Sequence, residues 1–292
     1  MITIMGATGN VGGATARRLL AAGVRVRALS RSGDRLAELA AAGAEPAIGD
    51  PGDPGYLAEA FGGADAAFTM LPYDPFTAGF EEGQRRLGEA IVAAIRGAGV
   101  RHVVALSSLG AELAEGTGFL TSLHAQEERL RALDGVNVLA LRPGWYFENF
   151  AAALPAIEEH GVYADAIAPD VAVPMVATPD VGAIAAEALR TREWEGFAIR
   201  EVVGIEVSFA AATRIVGERI GRPALEYVRP PDSEMIEALV AGGFASDSAR
   251  LYVELGRALS HRRVRAQEAR RLVDATSLDQ FAARLALVPE SV

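Results

Sequence analysis

The chain has 292 residues, half of them hydrophobic, a formal net charge of −10, and no cysteine; its 28 basic residues are all Arg. That length and composition supply one large buried core or a main domain with a smaller companion, and they exclude disulfides, thiolate metal ligands and a cysteine nucleophile. The acidic balance works against non-specific nucleic-acid binding, no run of about 20 apolar residues is present to span a membrane, and MITIMGATG lacks the features of a signal peptide, so a cytoplasmic location is expected.

The first 150 residues alternate short apolar runs with amphipathic stretches. ITIMG, VRVRAL, AEPAI, DAAFTML, RHVVALSS and VNVLALRP read as strands, and between them TARRLLAAG, RLAELAAAG and GEAIVAAIRGAG read as helices ending at Gly23, Gly43 and Gly97 or Gly99. Six strands joined by crossover helices predict an α/β fold, a doubly wound parallel sheet of the Rossmann type. After about Phe150 the rhythm changes. ALPAIEEHG, PDVGAIAAEALR, SFAAATRIVGERIG, DSEMIEALVAGG and SARLYVELGRAL read as helices, with AVPMVA and FAIREVVG as short strands and PDSEM, after RPP, as a loop. A dinucleotide-binding domain over 1–150 and a smaller, mainly helical part over 151–292 are therefore expected, some of whose segments could return to the sheet. The basic run from His261 to Arg271, at helical spacing and broken by a Glu, reads as a solvated helix face.

GATGNVGG, Gly6 to Gly13, follows the first strand at once and opens a helix. Gly6 permits the tight turn, Gly9 lets backbone N–H groups approach a pyrophosphate, and Gly12 allows close helix packing, with the helix N-terminus facing the anion. About 20 residues on, where an NAD site places an acid on the ribose, the chain has Ser30 and then Arg31, with Arg35 a turn further. A guanidinium matches a 2′-phosphate, so NADP(H) is expected in preference to NAD(H). Asp50, ending the third strand, has two readings: it accepts from the adenine amino group, or it caps the helix that begins near Gly52.

The carboxyl ends of the later strands, MLPYD, SSLG and RPGWYFEN, are where a ligand would lie. The aromatic turn Trp145, Tyr146, Phe147 reads equally as an apolar wall for a planar ligand or as packing between the two parts. Ser107 and Ser108 lie at the same end and could instead bond only the loop backbone.

Taken together, GATGNVGG, GDPGDPGYLAEAFGGAD, LSSLGA, HAQEERL and LRPGWYFENF resemble the NmrA-like branch of the atypical short-chain dehydrogenases, nearest to type 2 quinone oxidoreductases and azoreductases; PDVGAIAAEAL extends the resemblance more loosely. The resemblance implies that Gly6, Thr8, Gly9, Asn10 and Val11 hold the pyrophosphate and Arg31 the 2′-phosphate. It implies Met70 and Pro72 along the nicotinamide ribose and Pro143, Trp145 and Phe147 around the nicotinamide end; Ser107 is a further candidate on the cofactor side and Asn149 beside the acceptor.

The family includes reductases and non-catalytic dinucleotide sensors that act through a protein partner. In common relatives a Tyr and a Lys protonate an alkoxide, and without any Lys that pair cannot form here. A quinone, which yields a stable hydroquinone anion, needs only cofactor, orientation and a flat slot. The expected activity is therefore NADPH-dependent hydride transfer to a planar, electron-poor small molecule, with a redox sensor as the alternative; a homo-oligomer or a regulatory partner is left open. His124 and Tyr73 are the candidate proton donors, His124 with Glu128 at i+4 to orient its ring, against the plainer reading of a helix-surface pair. No metal site is expected.

Overall fold

The computed structural model describes residues 1–267, 272 and 274–285. The first half runs β1 (Ile2–Ile4), α1 (Asn10–Ala21), β2 (Val26–Ser30), a 3-10 turn (Asp34–Leu36), α2 (Ala37–Ala41), β3 (Glu45–Ile48), α3 (Pro54–Phe61), β4 (Ala66–Met70), α4 (Phe80–Ala98), β5 (His102–Leu106), α5 (Leu120–Arg131) and β6 (Asn137–Pro143). The second half runs β7 (Trp145–Tyr146), α6 (Glu148–His160), β8 (Val162–Ala164), β9 (Ala172–Val176), α7 (Thr178–Thr191), β10 (Phe197–Val202), β11 (Ile205–Ser208), α8 (Phe209–Arg219), β12 (Glu226–Val228), α9 (Asp232–Ala241), α10 (Ser246–Ser260) and α11 (Leu278–Leu285).

The main sheet has seven parallel strands in the order β10-β6-β5-β4-β1-β2-β3. The six strands expected from the first half are all present, and β10 from the second half adds a seventh beside β6, Phe197 opposite Val138 through to Val202 opposite Pro143. Successive residues of a strand face opposite sides of the sheet. Phe68, Val104 and Leu139 accordingly enter one core with α1 and α7, while Ala67, Val103 and Val138 enter the other with α3, α4 and α5. Pro46 is accommodated because β3 is an edge strand, where a missing N–H costs no ladder bond. A third core, around Phe150, Tyr163, Ile167, Phe209 and Phe281, belongs to the second half, where β11-β9-β7 and β12-β8 form two small sheets.

Local sequence explains most helix ends. On α4 the residues Phe80, Leu87, Ile91 and Ile95 recur at helical spacing and are buried, and the helix ends where Gly99 adopts φ 68°. α3 begins at Pro54, two residues after the start near Gly52 that its sequence suggested, because Asp53 caps it by accepting from the Gly55 N–H at 2.8 Å.

Two readings need correction. The PDSEM segment is not a loop throughout, since α9 starts at Asp232. The basic run from His261 leaves the helix: α10 ends at Ser260, and residues 261–267 form turns and bends, two of whose guanidinium N–H groups, on Arg263, donate to the Gly116 and Glu115 carbonyls. Residues 268–271 of that run lie outside the described residues.

Candidate functional site

The turn between β1 and α1 is set by contacts that leave no room for side chains. Gly6 has φ 62° and lies against the Met70 sulfur from the end of β4; a Cβ on Gly12 would strike the Gly6 carbonyl oxygen. The Gly9 N–H donates to the Gly6 carbonyl at 2.9 Å and the Gly13 N–H to that of Gly9 at 2.8 Å. With Gly9 as N-cap and no side-chain cap, the N–H groups of Asn10, Val11 and Gly12 in the first turn lack intrahelical acceptors, a donor set that fits a pyrophosphate. Thr8 borders the same turn, and its carbonyl accepts from Arg35 at 3.4 Å.

Ser30 ends β2, its Oγ accepting from the Ser32 N–H at 3.1 Å, and Arg31 follows, exposed. Asp50 lies beyond the end of β3, exposed, and its Oδ1 accepts from the Gly52 N–H at 2.9 Å. It therefore shapes the approach to α3 while Asp53 caps the helix, which removes the second of the two readings of Asp50. Pro72 is held by its carbonyl, which accepts from Gln84 Nε2 at 2.8 Å.

At the ends of β5 and β6 the structure contains an ion-pair network that sequence reasoning missed. Glu127, 3 % exposed, accepts from Arg142 Nε at 2.9 Å, from Arg142 Nη2 at 2.6 Å and from Ser107 Oγ at 2.5 Å. Arg142 also reaches Glu112 at 3.0 Å, and Glu112 accepts from Gln267 at 3.1 Å. Burial works against the Arg142 charge, but the bonds from Glu127 and the fields of Glu127, Glu112 and Glu201 outweigh it and raise its pKa. Ser107 is thereby turned inward to a carboxylate, and Ser108 Oγ donates to the Leu109 carbonyl at 3.0 Å. The available signal was the pair of adjacent glutamates in HAQEERL.

The two neighbours diverge on α5. Glu128 is exposed and pairs with Arg131 at 3.3 Å, so it does not orient His124. His124 Nδ1 instead meets the Ala111 carbonyl at 2.9 Å. Because a carbonyl only accepts, Nδ1 carries that hydrogen, and in the neutral ring Nε2 then has none to give. This ties His124 to its own loop.

Tyr73 stands half-exposed beyond β4, in edge contact with Phe119 at 4.9 Å and Phe80 at 6.3 Å. Burial among these rings, with the field of Asp165, pushes its hydroxyl above the ordinary 10, which makes it a weak acid. The aromatic turn divides. Phe147 is fully buried, 5.7 Å from Phe281, so it packs the second core and presents no wall; its expected place against substrate is corrected on that ground. Trp145 is half-buried with its ring edge-on to Phe209 at 5.5 Å, Pro143 is buried at the end of β6, and Asn149 is half-buried in the first turn of α6. Glu148, beside it, accepts from the Thr178 N–H at 3.0 Å and so caps α7.

Three hydrogen bonds tie the second half to this end of the sheet. The Asp247 carboxylate accepts from the Gly79 and Phe80 N–H groups at 2.8 and 3.2 Å, capping α4 from α10. The Ala245 N–H donates to the Pro75 carbonyl at 2.9 Å. Among the described residues no group of three or more His, Asp or Glu is placed to hold a metal ion.

The model of the NmrA-like family matches residues 1–280. A (4-alkanoyl-5-oxo-2,5-dihydrofuran-3-yl)methyl phosphate reductase of Streptomyces griseus is 33 % identical, over 76 % of this chain and 75 % of its own. An NAD(P)H azoreductase of Xenophilus azovorans is 26 % identical over 87 % and 86 %. The crystal structure of an NADPH-dependent quinone oxidoreductase of Escherichia coli, solved with NADPH, superposes with a TM-score of 0.79 at 24 % identity, covering 98 % of this chain and 99 % of the other, and so shares the fold. With a glycine turn that fits a dinucleotide and a family match over nearly its whole length, the chain belongs to the NmrA-like family.

Proposed function

We propose that this protein is an NADPH-dependent oxidoreductase that passes hydride to planar, electron-poor small molecules, quinones and azo or conjugated lactone compounds among them, without a Tyr and Lys pair. The observation that carries the reading is the glycine turn, closed to any side chain at Gly6 and Gly12 and opening onto unpaired helix N–H groups. Its membership of a family whose relatives include two named reductases supports it. Gly6, Thr8, Gly9, Asn10, Val11 and Gly12 hold the pyrophosphate, and Arg31 takes the 2′-phosphate. Ser30 and Asp50 border the adenosine end; Met70, Pro72 and Pro143 border the nicotinamide end, and Ser107 supports that end from beneath through Glu127.

When bound, the reduced nicotinamide supplies hydride. The protein contributes binding, alignment and exclusion of water, which by positioning alone can account for much of a rate enhancement. A hydroquinone anion formed in this way takes its proton from water, so neither His124 nor Tyr73 is needed for it.

Loss of reduced-nicotinamide absorbance is the test, with a panel of quinones, azo dyes and unsaturated lactones. Oxidation of NADPH with at least one acceptor is expected; tight binding of both cofactor forms with no turnover across the panel would replace this reading with a redox sensor. Arg31→Ala should weaken NADPH roughly 10- to 100-fold, as loss of a charge-assisted bond does, and leave NADH nearly untouched. Equal loss of both cofactors would remove Arg31 from the site.

A further inference from the structure

We propose that Asp165, with Tyr252 bonded to it, is a proton store for the acceptor crevice, and that it extends the reductase from quinones to conjugated enones and unsaturated lactones, whose reduction is complete only when a proton follows the hydride. The proposal rests on the reductase reading above and adds a proton donor built by the second half of the chain.

Asp165 directly follows β8 and is 2 % exposed. Its Oδ2 accepts from the Tyr163 and Tyr252 hydroxyls, at 3.1 Å each, and its Oδ1 from the Ala166 N–H at 2.6 Å. Among the described residues no guanidinium bonds it. Arg229, the nearby cation, donates to the Ala166 carbonyl at 3.1 Å and to Asp232 at 3.3 Å, and Arg257 also pairs with Asp232. A buried carboxylate without a counter-ion is costly, and taking up a proton relieves that cost. Burial accordingly pushes this carboxyl up to about 6, although its three hydrogen bonds pull the other way. Four of the chain's six tyrosines, Tyr73, Tyr163, Tyr227 and Tyr252, feel the charge of Asp165, which holds their hydroxyls protonated. The carboxyl can therefore exchange a proton with phenol neighbours and has no counter-ion to fix its charge.

The cluster reaches the crevice along α10. The Ala245 N–H donates to the Pro75 carbonyl, and Asp247 accepts from the Gly79 and Phe80 N–H groups, so the start of α10 is fastened to the connection between β4 and α4. Tyr252 lies five residues beyond Asp247, about 7.5 Å of helix. Its ring meets Phe244 edge-on at 6.2 Å, and Phe244 meets Phe76 of that connection at 5.3 Å. Tyr73, on the same connection, feels Asp165 and acts on Tyr252. The connection leaves the carboxyl end of β4, where the Met70 sulfur lies against Gly6 of the dinucleotide turn, and a doubly wound sheet receives its ligand at such strand ends. Of the two hydroxyls bonded to Asp165, that of Tyr163 belongs to a ring enclosed by Phe150, Phe209 and Tyr227, whereas Tyr252 is only half-buried and forms the exit.

Protonation of Asp165 reverses one bond. A carboxyl O–H at Oδ2 donates to the Tyr252 oxygen, and the Tyr252 hydrogen is then free to turn toward the crevice. When hydride adds to the β-carbon of an enone or unsaturated lactone, a C–H bond forms, the C=C pair moves onto the carbonyl as an enolate, and the cofactor is left oxidised. The enolate is a stronger base than a hydroquinone anion. It takes the Tyr252 hydrogen, Tyr252 takes the Asp165 hydrogen, and the carboxylate is left with the three donors that already face it. Water then returns a proton to Asp165. Each turnover consumes one hydride and one proton, and the tyrosine ends as it began, whereas a quinone does not call on the store.

The test measures kcat with NADPH for a benzoquinone and for a conjugated five-membered lactone as a function of pH, in the full-length protein and in its Asp165→Asn and Tyr252→Phe variants. In the parent, the lactone-to-quinone ratio of kcat should fall about tenfold per pH unit above about 6, as the store loses its proton. Each variant should lower that ratio by about 100-fold at acid pH, the scale of general-acid catalysis, and flatten its pH dependence. Infrared difference spectra of the protein without cofactor or acceptor should show a protonated-carboxyl band that titrates near pH 6 and is missing from Asp165→Asn. Should Asp165→Asn not fold, the ratio in Tyr252→Phe decides. Equal loss of both turnovers, as a purely structural role gives, an unchanged ratio in Tyr252→Phe, or no carboxyl band titrating near pH 6 would overturn the proposal. The two readings fail separately: quinone turnover with an unaltered ratio in the variants, or with no lactone turnover at all, removes the store alone, whereas no NADPH consumed with any acceptor removes the reductase and the store with it.

Discussion

Glu127→Gln cuts the buried network at its centre without changing its volume. The Arg142 side chain is 7 % exposed and would keep the carboxylate of Glu112 at 3.0 Å and, with the amide oxygen at the Oε1 position, its 2.9 Å Nε bond, while its 2.6 Å Nη2 bond to Glu127 Oε2 and the carboxylate charge are lost. Removing one partner of a buried ion pair costs roughly 3–5 kcal/mol, because the remaining charge stays desolvated. Glu112 and the new amide oxygen, which still accepts from Ser107, place the expected loss at the lower end, about 3 kcal/mol. At about 2 °C per kcal/mol for a chain of this size, the melting temperature should fall by about 6 °C. Denaturant unfolding gives the free energy and calorimetry the midpoint. The informative companion is the double variant Glu127→Gln with Arg142→Met, which removes the stranded charge and should recover to within about 1 kcal/mol of the parent, since an apolar replacement of a buried pair is often neutral. A single variant that loses less than about 1 kcal/mol, or a double variant less stable than the single, would refute the reasoning.

Two further outcomes follow from packing and titration. In α7, a Cβ on Gly182 would come within 2.6 Å of the Ala14 Cβ and 3.1 Å of the Thr15 nitrogen on α1, so Gly182→Ala should cost about 1–3 kcal/mol and, by displacing α1, weaken dinucleotide binding; a stable variant with unaltered cofactor affinity would show that α1 is not held from this side. Asp165 is 2 % exposed, accepts from Tyr163 and Tyr252 at 3.1 Å each and from the Ala166 N–H at 2.6 Å, and burial pushes its carboxyl up to about 6. A raised carboxyl binds its proton more tightly in the folded chain, so its stabilisation is complete below the ordinary 3.8 and is lost as pH rises through about 6. That corresponds to about 3 kcal/mol between pH 4 and 7. The difference in unfolding free energy between the parent and Asp165→Asn should shift by that amount over the same window, and a pH-independent difference would show that Asp165 does not titrate there.

The parts of this molecule that were legible in its sequence are those whose cause is local. A strand, a turn that only glycine can make and a helix starting at once are specified within thirteen residues, so the dinucleotide turn and the α/β class could be read directly. Arg31, proposed for the 2′-phosphate, is placed by a similarly local cue, directly after the end of β2. Period-two and helical spacing located the six strands of the first half and most of the helices, and faltered at RLAELAAAG, where the helix proper is only α2, five residues long.

What the tertiary structure decided concerns partners far apart in the chain. Neighbouring residues on a helix point about 100° apart, so HAQEERL offers two glutamates and no local rule chooses between them. Arg142, fifteen residues on, draws Glu127 inward and leaves Glu128 to solvent. The return of β10 to the sheet depends on pairing with β6, the capping of α4 depends on Asp247 a whole half-chain away, and the fate of the aromatic turn depends on Phe281, which fills the space beside Phe147. Burial of a ring or a charge is set by whatever packs against it, and here those neighbours arrive from the second half. Sequence alone therefore marked the glycine turn proposed for a dinucleotide, while the three-dimensional packing decided which aromatic residues are buried and which stay open to solvent.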